Sequence, residues 1–178
     1  MKKTLALAVT AAFLATPAYA ADVKIGVLLG FTGPIESLTP DMASGAELAM
    51  KEASDSSAFM GGSNISSVRG DSTCVDAAAA TATAERLITA DGVSAIMGAD
   101  CSGVTTAVLQ NVALAKGVVM ISPSATSPAL STVEDNGLFF RTSPSDARQG
   151  QVLAEILKEK GVKSAAISYT NNDYGKGL

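Results

Sequence analysis

The chain has 178 residues, a net charge of −4, and neither histidine nor tryptophan. The acidic balance argues against nucleic acid or an anionic membrane surface as partner, and the lack of histidine removes the commonest general base and metal ligand. Cys74 and Cys101 are the only cysteines; two thiols are too few for a zinc site, and no metal or cofactor is expected.

Residues 1–20 read as a secretory signal peptide. Lys2 and Lys3 precede an apolar run from Leu5 to Leu14, and Ala18-Tyr19-Ala20 is a small-x-small cleavage pattern. The run is far shorter than the ~20 residues of a membrane span. The mature chain is expected to start at Ala21 and to be exported without an anchor. In an oxidising compartment, two cysteines are expected to pair.

Strands then alternate with helices. Residues 23–30 form an apolar strand, followed by a loop over 31–40 carrying Gly33-Pro34. The spacing predicts a helix over 41–53 with Met42, Ala46, Ala49, Met50 and Ala53 on one face. Residues 65–71 are a strand poor in large apolar side chains, expected towards a sheet edge. An alanine-rich helix follows over 76–90, with Ala80, Ala84, Leu87 and Ile88 inward. A short strand spans 93–98. Ser102 is placed to cap a helix over 102–115, with Val104, Val108, Val112 and Ala115 facing in.

Residues 118–121 and 138–141 are the next strands. Ser145 or Asp146 caps a helix to residue 160, with Leu153, Ile156 and Leu157 inward, and residues 164–169 form a last strand. The rhythm implies an α/β fold, a parallel sheet with helices on both faces.

Three loops each follow a strand and precede a helix: residues 31–40, 99–103 and 122–128. In such sheets ligands bind outside the carboxyl ends of the strands. The segment I-S-P-S-A-T-S-P, residues 121–128, is hydroxyl-rich and broken by Pro123 and Pro128. It reads either as a capped turn or as a shelf on which Ser124, Ala125 and Thr126 hold a small polar molecule. In G-A-D-C-S-G, Ser102 either caps its own helix or receives a carboxylate at the helix N-terminus. Cys74 and Cys101 fall at the same sheet edge, where a bond between them stiffens the site beside Ser102 or simply stabilises an exported domain.

Enzymatic activity is not expected. A nucleophile at Ser102 or Cys101 has no histidine base, and Gly175-Lys176-Gly177 lacks the pattern of a phosphate loop.

The ordered motifs V-K-I-G-V-L-L-G-F-T-G-P, S-G-A-E-L-A, D-S-T-C, G-A-D-C-S-G, I-S-P-S-A-T-S-P, F-R-T-S-P-S-D and N-N-D-Y-G-K-G resemble the substrate-binding proteins of branched-chain amino-acid ABC transporters, the Leu/Ile/Val-binding type. The resemblance implies a type I periplasmic binding fold with two lobes closing on a ligand. It implies a first, incomplete lobe over residues 21–142 and the start of a truncated second lobe over 143–178. It implies that the Cys74–Cys101 disulfide is a family feature. Ser102 and the Ser124, Ala125 and Thr126 segment match positions that hold the ligand's carboxylate and ammonium. Tyr174 matches a residue lining the cleft; Asp100 and Leu38 are further candidates. Leu38 stands where relatives of known specificity often carry an aromatic residue, so the resemblance does not carry aliphatic specificity over to this chain.

The same resemblance implies a periplasmic monomer that delivers an amino acid or a related small zwitterion or carboxylate to an inner-membrane permease. A ligand-sensing ectodomain or regulator of the same fold is the alternative, as is a binder of another small polar solute.

Overall fold

A computed structural model describes residues 22–178. The signal-peptide reading of residues 1–20 lies outside the described residues. Five strands form one sheet: β1 (Val23–Leu29), β2 (Ile65–Asp71), β3 (Ala95–Gly98), β4 (Val119–Ser122) and β5 (Phe139–Arg141). Their order is β2-β1-β3-β4-β5, with every neighbouring pair parallel. The weakly apolar β2 lies at an edge, as its composition predicts.

Helix α1 (Thr39–Asp55) covers one face of the sheet; α2 (Ala77–Thr89) and α3 (Ser102–Val108) cover the other. Side chains of β1 alternate between them. Val27 and Leu29 join Ala43 of α1, while Leu28 packs with Ala80, Ala84 and Leu87 of α2 and with Val104 and Val108 of α3. The sheet is not covered throughout on the α1 side: Ile121 is 44% exposed and Phe140 53%. Gly98 ends β3 with φ of +141°, and a Cβ there would lie 2.1 Å from the Leu28 carbonyl oxygen. Glycine alone lets β3 leave the sheet this close to β1.

Several expectations from periodicity are corrected. In α1 the buried residues are Thr39 and Ala43; Ala49 is exposed. The expected single helix after Ser102 is interrupted by a π turn, Leu109–Ala113, before the short α4 (Leu114–Lys116). A π turn spaces its hydrogen bonds by five residues instead of four and so rotates the following face. Val104, Val108 and Val112 are buried as expected, but Ala113 takes the inward place foreseen for Ala115, which is exposed.

Helix α5 (Asp146–Glu159) begins as expected, with the Ser145 hydroxyl accepting from the Ala147 N–H. Leu153 and Ile156, foreseen inward, are exposed. Residues 164–169 are exposed and form no strand. A strand needs a neighbour to pair its N–H and C=O groups, and no backbone hydrogen bond joins these residues to another described segment. A one-turn helix, α6 (Asp173–Gly177), ends the chain, capped by Asn172. No helix among the described residues is long and apolar enough to cross a membrane.

Candidate functional site

Because the strands are parallel, the loops after β1, β2, β3 and β4 meet at one sheet edge. Asp100, in the loop after β3, gathers them. It is 2% exposed, and its carboxylate accepts from the Gly30 N–H (2.7 Å), the Ser72 hydroxyl (2.9 Å) and the Cys101 N–H (3.1 Å). The Asp100 carbonyl accepts from the Ser124 hydroxyl at 2.9 Å. Both carboxylate oxygens are thus spent inside the protein, and Asp100 braces the edge.

Cys74 and Cys101 form the disulfide, with Cα atoms 5.2 Å apart. It joins the loop after β2 to the start of α3. Asp71, at the end of β2, receives the Thr32 hydroxyl and the Thr32 and Thr73 N–H groups. Burial raises its pKa, but these bonds, with the nearby Phe31 N–H, outweigh burial and lower it overall. Glu47 is also lowered, first by its hydrogen bond from Arg69, whose guanidinium pairs with both carboxylate oxygens at 2.7 Å.

Ser102 does not cap its helix. Cys101 occupies the cap position without a side-chain bond, and the Ser102 hydroxyl accepts from the Ser127 N–H at 3.2 Å. A loop 25 residues away thus takes over the hydroxyl expected to serve α3. The Ser122 hydroxyl donates to the Ala99 carbonyl and accepts from the Ala125 N–H. Ser102, Ser124, Ala125 and Thr126 are therefore brought together, with Ser102 and Ala125 buried.

Thr126 stands apart from its neighbours: its hydroxyl is buried and has no partner. The same holds for one carboxylate oxygen of Asp146, a residue 3% exposed at the first position of α5. The Asp146 N–H donates to the Thr126 carbonyl at 3.0 Å. Both residues line a hollow of about 440 Å³ whose walls include Pro144, Val152 and Ile156. In the sequence, Asp146 reads only as a possible helix cap. The signal that it does more is three-dimensional: Ser145 takes the cap, leaving an ionisable group buried without full hydrogen bonding, a costly arrangement.

Leu38 precedes α1 and is exposed; it does not line the hollow. Tyr174 lies on α6, which packs against α3. The Asp173 carboxylate would lie 3.7 Å from a Cβ at Gly103, and Gly177 fits against Pro128 and Ser127. The segment bearing Tyr174 thus returns to the Ser102 loop, with its ring partly exposed.

The arrangement offers hydroxyls, backbone N–H groups and one carboxylate, with no group of metal-ligating side chains among the described residues. Such a set suits a small molecule carrying both charges.

The periplasmic binding protein family model matches residues 22–178. The Leu/Ile/Val-binding protein of Citrobacter freundii is 31% identical over 166 residues, 93% of this chain and 44% of that protein. An ABC transporter substrate-binding protein from Desulfitobacterium hafniense, solved with Leu, aligns with a TM-score of 0.72 at 30% identity, covering 88% of this chain and 44% of its own. The branched-chain amino acid transporter substrate binding protein of Streptococcus pneumoniae, solved with isoleucine, aligns with a TM-score of 0.69 at 31% identity, covering 78% and 38%. The chain spans less than half the length of these proteins. Its parallel five-stranded sheet with flanking helices is the type I arrangement of such binding proteins, and the chain belongs to the periplasmic binding protein family.

Proposed function

We propose that the chain is part of the periplasmic solute-binding component of an ABC importer and takes an amino acid, or a related small zwitterion, between two lobes. Residues 21–142 belong to the first lobe and residues 143–178 begin the second. Relatives named for leucine, isoleucine and valine binding support this reading.

The observation that carries it is the pair of unpartnered buried acceptors, Thr126 Oγ1 and an Asp146 carboxylate oxygen. A hydroxyl and a carboxylate oxygen buried without partners, on two residues that line one hollow, suit an ammonium group. The α3 side, with Ser102, supplies backbone donors for a carboxylate. The part is that of a carrier without catalysis: it binds its ligand, closes, and hands it to a membrane permease. A monomer suffices for that.

Calorimetry on the protein expressed from its complete reading frame, titrated with a panel of amino acids, amino-acid amides and small carboxylates, tests the proposal. Saturable binding of at least one α-amino acid is expected, with weaker binding of its deaminated analogue. A protein that binds none of the amino acids overturns it.

A further inference from the structure

The loop over residues 122–128 presents its carbonyl oxygens to one side, and most of their partners come from a single segment, residues 141–146. The Thr142 N–H donates to Ser122 O at 3.1 Å, and the Asp146 N–H donates to Thr126 O at 3.0 Å. The Ser143 hydroxyl donates to Ala125 O at 3.3 Å. Arg141, the last residue of β5, contributes most. Its Nη1 donates to Ala125 O at 3.2 Å and to Ser127 O at 2.9 Å, and its Nη2 donates to the Ser131 hydroxyl.

In a trans peptide the C=O and N–H point in opposite directions. With the Ala125 carbonyl turned to Arg141, the N–H of the same peptide, that of Thr126, points away from it. The neighbouring N–H groups are committed: Ala125 donates to the Ser122 hydroxyl and Ser127 to the Ser102 hydroxyl. Thr126 N–H has no partner among the described residues. The loop therefore leaves one N–H and one buried hydroxyl without a partner, both on Thr126.

We infer that Arg141 is a positioning residue for ligand binding: its guanidinium holds the carbonyls on either side of Thr126 and so aims the Thr126 N–H and hydroxyl at the ligand. A planar guanidinium with a fixed fork of donors spans two carbonyls and a hydroxyl at once; a lysine ammonium is a compact point donor and reaches fewer of them in one geometry. Arg141 itself touches no ligand atom in this role. The inference rests on the amino-acid-binding reading proposed above.

The test uses the complete protein with L-leucine as probe, and compares wild type, Arg141→Lys and Arg141→Met. Calorimetry reads the Kd, and the backbone amide resonances of Thr126 and Ser127 read the loop directly. In Arg141→Met the Kd for L-leucine is expected to rise about tenfold or more, as for loss of charge-assisted bonds. The Thr126 amide resonance shifts while amides of β1 and β3 stay in place. Arg141→Lys restores part of both. An unchanged Thr126 amide in Arg141→Met, or a Kd equal to wild type, overturns the inference. If wild type binds no amino acid, the functional reading fails by itself, and the Thr126 amide still decides the positioning role. Should Arg141→Met not fold, Arg141→Lys carries the same comparison with smaller expected shifts.

Discussion

The backbone N–H of Asp146 donates to the carbonyl of Thr126 at 3.0 Å, and each of these residues also holds a buried side-chain oxygen with no partner. The bond ties the start of α5 to the loop after β4. It brings two residues that line one hollow together although 20 residues separate them in the chain. A polar atom buried without a partner costs free energy, and this cost is the ground for the proposal that the pair serves a ligand.

Thr126→Ala removes the free hydroxyl without disturbing a hydrogen bond of the folded protein. Ligand affinity in the complete protein is expected to fall by at least ~1 kcal/mol, with the thermal midpoint unchanged or slightly raised. Calorimetry and thermal denaturation on the same samples check both halves. Unaltered affinity would make this loop a structural turn only.

Asp100→Ala behaves in the opposite way. It strands the Gly30 N–H and the Ser72 hydroxyl in the interior, and stability is expected to drop by about 3 kcal/mol. Urea denaturation measures it. A loss well under 1 kcal/mol would mean that the loops after β1, β2 and β3 hold together without this carboxylate.

Replacing both Cys74 and Cys101 with serine opens a link between residues 27 apart. The expected loss is ~3–4 kcal/mol by chain entropy. The loss appears as a lower urea midpoint, and the wild type is expected to show the same loss in dithiothreitol. Equal midpoints with and without reductant would show that the crosslink adds nothing to stability.

The lowered pKa of Asp71 has a consequence on the acid side. Burial raises it, the bonds from Thr32 and Thr73 with the nearby Phe31 N–H lower it by more, and the folded value ends below the unfolded one. Such a group stabilises the fold above its unfolded pKa, and the contribution is lost as pH falls through the folded pKa. The window therefore lies below about pH 4. Asp71→Asn is expected to lower stability near pH 7 and to make the fall below pH 4 shallower, as read from urea midpoints across pH 2.5–7. Glu47, also lowered by Arg69, keeps part of the slope. Parallel profiles for variant and wild type would remove Asp71 from this account.

Alternating apolar strands and alanine-rich helices were enough to specify a parallel α/β sheet, with β2 at its edge and the loops after β1, β3 and β4 at one end. Local side-chain period sets which face of an element is buried, and parallel strands put like ends together. The Cys74–Cys101 pair was also legible, because two cysteines can pair with each other in only one way. Periodicity failed where backbone geometry changed underneath it, as at the π turn that exchanges Ala113 for Ala115. It failed again at residues 164–169, where strand composition has no neighbour to pair with.

The roles of individual polar groups belong to the tertiary structure. Asp100 reaches Gly30 across 70 residues of chain, Ser102 serves Ser127 in place of its own helix, and Arg141 holds the carbonyls around Thr126. A polar side chain in a sequence shows what it can bond to. Which bond it makes depends on which loops the sheet brings within about 3 Å of it. Only then does it emerge that Thr126 and Asp146 keep buried, unpartnered oxygens beside the hollow while their neighbours are used up.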